Sequence, residues 1–162
     1  MRPIALSAAI LAACLASPAF AAPKVAYVQV SAGEDLRKKT DMFDEREIGV
    51  LTTSLKKAIE RALPATEGGG TLSLVIEDAK PNRPTMVQMA KTPGLSFDSF
   101  GLGGARISGS YVDPTGAKTP IAYSWYETDI RWARYRGTWS DADKAFGDLA
   151  RRLAKDQFTQ TR

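Results

Sequence analysis

The sequence contains no histidine and a single cysteine, Cys14, among its 162 residues. Without histidine, neither a Ser-His nor a Cys-His hydrolase is possible. One cysteine cannot form an internal disulfide, and Cys14 lies in an N-terminal stretch that we expect to be processed. The domain that follows therefore has no thiol nucleophile, redox pair or zinc cluster. We expect no cofactor, no metal and no catalytic residues.

Long hydrophobic runs are also lacking. The apolar run Ile4 to Leu15 is shorter than the roughly 20 residues that span a bilayer. It follows Arg2 and precedes Pro18 and the small-x-small sequence Ala19-Phe20-Ala21, which is typical of a secretory signal peptide. The sequence predicts that residues 1–21 are removed and that residues 22–162 form one domain, soluble in the periplasm, with no transmembrane segment.

The same leader contains a second pattern. Leu11-Ala12-Ala13-Cys14 matches a bacterial lipobox, in which the cysteine is lipidated and becomes the first residue. The residues after Cys14 are apolar, whereas a lipoprotein usually has a polar tether there. The sequence favours the free protein, and a lipid anchor on Cys14 remains the alternative.

The formal net charge of +4 is unevenly distributed. Residues 131–162 hold eight basic and four acidic residues, whereas residues 22–130 are slightly acidic. The C-terminal part is therefore suited to anionic partners such as phospholipid headgroups or lipopolysaccharide. A solvated helix face explains the same charges and is the commoner case.

The hydrophobic patterns predict the element order β-α-β-β-β-α. Strands are expected at residues 25–30 and 71–78, separated by a helix that begins at Asp44 and ends before Pro64, which indicates a parallel crossover. Residues 105–132 read as a hairpin around the type I turn Asp113-Pro114-Thr115-Gly116. A last helix follows Trp139, with Ser140 as its predicted cap. Its predicted buried stripe consists of Ala142, Phe146, Leu149, Ala150 and Leu153. The expected fold is α+β: one mixed sheet of about four strands with both helices on one face.

Residues 80–104 have no clear period. They contain three prolines, four glycines and several large apolar residues. We expect a long loop whose apolar residues pack against the rest of the domain; these are Met86, Met89, Leu95, Phe97 and Phe100.

The most informative stretch is residues 123–139, which hold six of the fourteen aromatic residues. With Asp113 opposite Gly116, strand alternation places Tyr126, Ile130 and Trp132 on the core face. Ile107 and Tyr111 continue this face across the hairpin. The opposite face, left open if the helices cover one side, is the predicted binding site. Its predicted residues are Arg106, Tyr123, Trp125, Glu127, Asp129 and Arg131.

Aromatic and arginine side chains together are typical of binding surfaces. The leading hypothesis is a non-enzymatic module that binds an envelope protein or envelope polymer, and no nucleic acid. One alternative is a small hydrolase of envelope glycan that uses Glu127 and Asp129, whose Cα atoms would be about 6.6 Å apart on a strand. Another is a structural homodimer with the open face buried between two copies.

Overall fold

A computed structural model describes residues 22–160. The predicted cleavage site after Ala21 and the lipobox cysteine Cys14 lie outside this range. Within it, no helix is both long enough and apolar enough to cross a membrane. The elements are, in chain order, β1 (Val25–Ala32), α1 (Glu34–Arg37), α2 (Glu45–Ala62), β2 (Gly70–Lys80), α3 (Met86–Lys91), β3 (Gly104–Val112), β4 (Lys118–Tyr126), a 3-10 helix (Ile130–Tyr135), α4 (Ser140–Leu153) and β5 (Thr159–Gln160).

The fold is α+β, as predicted. Strands β1 to β4 form one mixed sheet in sequence order, and the two-residue β5 extends it beside β4. β1 and β2 pair in parallel, which confirms the crossover, and β2, β3 and β4 are antiparallel. Helices α2 and α4 pack against each other and against one face of the sheet. The other face carries neither of these helices, and we call it the open face.

Helix α2 forms where its apolar residues recur at helical spacing. Ile48, Leu51, Leu55 and Ile59 are all buried against the sheet. The Asp44 side chain caps the helix by accepting a hydrogen bond from the Glu47 N–H at 2.9 Å.

Helix α4 presents the predicted stripe. Its buried members are Ala142, Phe146, Leu149, Ala150 and Leu153. The helix is anchored at its start by Trp139, which stacks on Phe43 and donates from Nε1 to Glu47 at 2.7 Å. The predicted cap by the Ser140 side chain is wrong, since its Oγ instead accepts the Gly137 N–H at 2.8 Å.

The predicted turn between β3 and β4 is present, but the predicted register is wrong by one residue. The Gly116 N–H donates to the Asp113 carbonyl at 3.0 Å, as expected for the turn. Asp113 N–H also donates to the Ala117 carbonyl at 3.0 Å, so the loop includes one further residue. The first strand pair is therefore Val112 with Lys118, and Ile107 lies opposite Tyr123.

That shift inverts the faces assigned to β4. Because side chains alternate along a strand, a slip of one residue moves every side chain to the other face. Tyr123 is buried under the helices at 5% exposure, and Trp125 packs against the same core. Ile107 and Tyr111 of β3 lie on this core face, as predicted. Arg106 is exposed on the open face, also as predicted.

The segment from Lys80 to Gly104 contains the short helix α3. Thr85 and Gln88 form a reciprocal capping box at its start. The expectation that the large apolar residues of this segment pack inward is wrong for Met86, Phe97 and Phe100, each about half exposed.

Candidate functional site

Strand β4 ends at Tyr126 because the backbone N–H groups of Thr128 and Asp129 are satisfied locally. Glu127 Oε1 accepts hydrogen bonds from the backbone N–H groups of Thr128 and Asp129, at 2.9 and 3.1 Å. Asp129 then caps the 3-10 helix by accepting the Arg131 N–H at 3.0 Å. The prediction that Glu127, Asp129 and Arg131 share one face of a strand is therefore wrong. We call residues 129–136 the aromatic–arginine segment.

The aromatic–arginine segment exposes three large apolar side chains. Ile130 is 51% exposed, Trp132 61% and Tyr135 75%, whereas Ala133 faces the protein and is buried. Placing Ile130 and Trp132 in the core was wrong, because strand alternation does not continue beyond Tyr126. The three side chains leave roughly 300 Å² uncovered, given about 150–250 Å² for a whole aromatic side chain. Trp and Tyr side chains are enriched at protein interfaces, which makes Trp132 and Tyr135 candidate contact residues.

Arg83 fixes the position of this segment from a distant part of the chain. Its Nη2 donates to the Arg134 carbonyl at 2.5 Å and its Nε to the Arg136 carbonyl at 2.7 Å. Its Nη1 donates to the Phe97 carbonyl. One planar guanidinium thus joins the aromatic–arginine segment to the loop that follows α3, and it satisfies two carbonyls at the C-terminal end of the 3-10 helix.

A buried polar pair supports the C-terminal end of the segment. Asp141 is fully buried, and its Oδ2 accepts from Asn82 Nδ2 at 2.5 Å and from the Gly103 N–H at 3.0 Å. The Asp141 N–H donates in return to Asn82 Oδ1 at 2.9 Å. We call this pair the Asn82–Asp141 hub. It ties together the end of β2, the start of β3 and the start of α4.

Arg136 connects the hub to the end of β4. Its Nε lies 3.7 Å from Asp141 Oδ1, and its Nη2 lies 4.0 Å from Glu127 Oε2. Asp141 Oδ1 has no hydrogen bond within the described residues, so Arg136 supplies the nearby opposite charge that a buried carboxylate needs. The segment that exposes Trp132 and Tyr135 is thus held at both ends.

The carboxylates of the predicted catalytic pair are engaged in this local structure. Hydrogen bonds from the Arg131 side chain and backbone lower the pKa of Asp129 to about 2. A carboxyl with that pKa is ionised at neutral pH and cannot donate a proton as a general acid. Glu127 accepts the two backbone bonds described above. Over residues 22–160, no group of three or more Cys, Asp and Glu residues is arranged to hold a metal ion.

Tyr123 and Trp125 line a different feature, a groove of about 420 Å³ beside α4. Its remaining lining residues are mostly charged: Lys144, Asp148, Arg151, Arg152, Lys155 and Gln157. The Lys144 ammonium lies over the Trp125 ring, 3.5 Å from the centroid. We call this feature the Trp125 groove.

Arg106 lies apart from both features. In the strand register it lies opposite Asp78 of β2, on the open face. Asp78 accepts hydrogen bonds from Tyr126 Oη at 2.5 Å and from Lys39 Nζ. Burial opposes ionisation of Asp78, but the hydrogen bonds from Lys39 and Tyr126 outweigh it and lower the pKa of the carboxyl.

The six predicted site residues thus fall into three places. Glu127, Asp129 and Arg131 build the start of the aromatic–arginine segment, Tyr123 and Trp125 line the groove, and Arg106 lies on the open face. The exposed residues Ile130, Trp132 and Tyr135 were missed as site residues. The signal that identifies them is the pair Glu127 and Asp129, two residues of low strand propensity whose carboxylates can cap backbone N–H groups, which favours an end to the strand.

Comparison with known proteins assigns no family to this chain. No protein-family model matches it, and no curated protein matches it significantly. Among solved structures, it is similar to the rare lipoprotein B from Shewanella oneidensis, with 11% sequence identity over 80% of this chain and 92% of that chain. The TM-score of that superposition is 0.36, a level of similarity that transfers no function.

Proposed function

We propose that this protein is an exported, non-enzymatic binding module of the cell envelope that recognises a protein partner through the aromatic–arginine segment. The observation that carries the proposal is the exposure of Ile130, Trp132 and Tyr135 on a segment held by Arg83 and by the Asn82–Asp141 hub. The likeness to a rare lipoprotein is compatible with an envelope module, but it adds no weight.

The composition of the segment favours a protein as the partner. Trp, Tyr and Arg are the residues enriched at energetic hot spots of protein interfaces. A surface that is already ordered also loses less conformational entropy when it binds. The exposed side chain of Arg134, whose guanidinium lies over the Tyr135 ring, borders the aromatic side chains, so the partner is expected to present an acidic group beside an apolar centre.

The non-enzymatic part of the proposal rests on the available chemistry. Residues 22–162 contain neither histidine nor cysteine, and Asp129 is ion-paired with Arg131 at 2.5 Å. The leader sequence supports export to the periplasm as a soluble protein.

Site-specific photo-crosslinking in producing cells tests the proposal. A benzoylphenylalanine at position 135 is expected to give a discrete adduct with another protein. The matched control carries the same group at position 27, because Tyr27 is 70% exposed on β1, at the opposite edge of the sheet. Adducts that are identical from both positions would contradict the proposal, and adducts with a second copy of this chain would favour the homodimer instead.

Affinity measured with the captured partner then quantifies the contact. Trp132→Ala is expected to weaken binding roughly 30-fold, the equivalent of the 2 kcal/mol typical of a hot-spot residue. Tyr27→Ala, which removes an equally exposed aromatic side chain elsewhere, is expected to leave the affinity unchanged. Equal effects of the two substitutions would refute the assignment of the surface.

A further inference from the structure

The Trp125 groove concentrates positive charge in a concave site. Its lining includes four basic side chains, Lys144, Arg151, Arg152 and Lys155, and a single carboxylate, Asp148. The C-terminal end of α4 adds only about half an elementary negative charge. The field in the groove is therefore positive.

Asp148 does not neutralise the whole groove. Lys144 Nζ lies 3.8 Å from one of its oxygens, and Arg151 binds the other. Within the described residues, neither Arg152 nor Lys155 forms an ion pair. Lys144 and Arg151 thus share the Asp148 carboxylate. Arg152 and Lys155 line the groove and are available to bind a ligand.

The floor of the groove is aromatic and fixed. Tyr123 is buried, and Trp125 packs against the core while its ring contacts the Lys144 ammonium. A cation held over an indole ring is positioned at little further entropic cost. Burial, reinforced by the negative charge of Asp148, raises the pKa of Tyr123, so its hydroxyl stays protonated.

We propose that the Trp125 groove binds a phosphoryl group carried on a small polar molecule or on a lipid headgroup. A phosphate monoester carries a charge of about −1.5 to −2 and three acceptor oxygens, which matches several converging cations. Arginine forks bind phosphate oxygens in pairs, whereas a single carboxylate would be satisfied by one of them. The rest of the ligand would lie against Trp125. This site is separate from the aromatic–arginine segment, so either proposal can fail alone.

NMR titration of residues 22–162 tests this proposal, because the indole N–H signals of Trp125 and Trp132 report on the two sites separately. Glycerol 3-phosphate is the soluble probe, with glycerol as the uncharged control. The Trp125 signal is expected to shift saturably with glycerol 3-phosphate alone, while the Trp132 signal stays in place. Flotation with phosphatidylcholine vesicles, with and without phosphatidic acid, whose headgroup is a phosphate monoester, tests the lipid source.

Charge-removing variants complete the experiment. The double substitution Arg152→Gln and Lys155→Gln is expected to weaken binding at least tenfold, about 1.4 kcal/mol. Lys57→Gln on α2 is the matched control, since it removes an exposed lysine outside the groove. Saturable binding to glycerol 3-phosphate, or binding only to vesicles with phosphatidic acid, supports the proposal if the double variant weakens it at least tenfold. An affinity that the double variant changes less than tenfold, or no binding to either probe, overturns it.

Discussion

Asn82→Ala removes one half of the buried hub on which the candidate site depends. The substitution deletes three hydrogen bonds: Asn82 Nδ2 to Asp141 Oδ2 at 2.5 Å, Nδ2 to the Gly101 carbonyl at 3.2 Å, and the Asp141 N–H to Asn82 Oδ1 at 2.9 Å. The first of these hydrogen bonds is made to a carboxylate. Loss of the other two leaves the Asp141 N–H and the Gly101 carbonyl without a hydrogen-bond partner.

The expected loss follows from these contacts. A hydrogen bond to a charged group contributes about 1.5–3 kcal/mol and a neutral one about 1 kcal/mol. The sum is roughly 3–5 kcal/mol. Because a whole domain is stable by only about 5–15 kcal/mol, Asn82→Ala is expected to remove a large share of the folding free energy.

Urea unfolding of residues 22–162 at neutral pH measures the effect. At a slope of about 1–3 kcal/mol per molar urea, the midpoint is expected to fall by roughly 2 M. Ser96→Ala is the control, because it removes an exposed side-chain acceptor that binds only the Asp98 N–H. A loss below about 1 kcal/mol in Asn82→Ala would refute the argument, since buried unsatisfied groups cost at least that much.

Three further outcomes are expected. Arg83→Lys keeps the positive charge but loses the planar guanidinium that binds two carbonyls of the aromatic–arginine segment. Amide hydrogen exchange in this segment is therefore expected to accelerate. Unchanged exchange would show that the Arg83 hydrogen bonds are not needed to hold the segment. Gly109→Ala is expected to destabilise the protein by about 1–3 kcal/mol, because the new methyl group would meet the Ser73 carbonyl. Gly49→Ala lies on the exposed side of α2 and is expected to stabilise the protein by up to about 1 kcal/mol. A thermal unfolding temperature that is higher for Gly109→Ala than for Gly49→Ala would contradict the packing. The folded-state pKa of Asp129 is depressed to about 2, so the stability contributed by its ionised form is complete above about pH 4 and is lost as the pH falls towards 2. The difference in unfolding free energy between wild type and Asp129→Asn is therefore expected to shrink over that range. A difference that does not depend on pH would exclude the Asp129–Arg131 ion pair as its source.

The elements of the fold could be predicted because their signals are local. The buried stripe of α2 and the Asp44 cap lie within one stretch of sequence, and so does the turn that begins at Asp113. The crossover from β1 to β2 follows from the helix between them. Element order and hydrophobic period were enough for the α+β class.

The candidate site could be predicted only in part. The sequence identified residues 123–139 as the region to examine, but extending the strand beyond Tyr126 placed Trp132 in the core. Where β4 ends depends on the side chain of Glu127, which accepts backbone hydrogen bonds that would otherwise go to a neighbouring strand. The alternation of side chains between the two faces of a sheet therefore assigns residues to a face only as far as the strand extends.

By itself, the sequence determined the chemistry that residues 22–162 can offer and the positions of the main helices and strands. Tertiary structure decided which face each β4 side chain occupies, because one extra loop residue, Ala117, shifts the pairing and brings Tyr123 inward. It also decided that the aromatic–arginine segment is ordered and exposed. Arg83 reaches that segment across about 50 residues of chain, and no local pattern encodes a contact between side chain and backbone at such a separation.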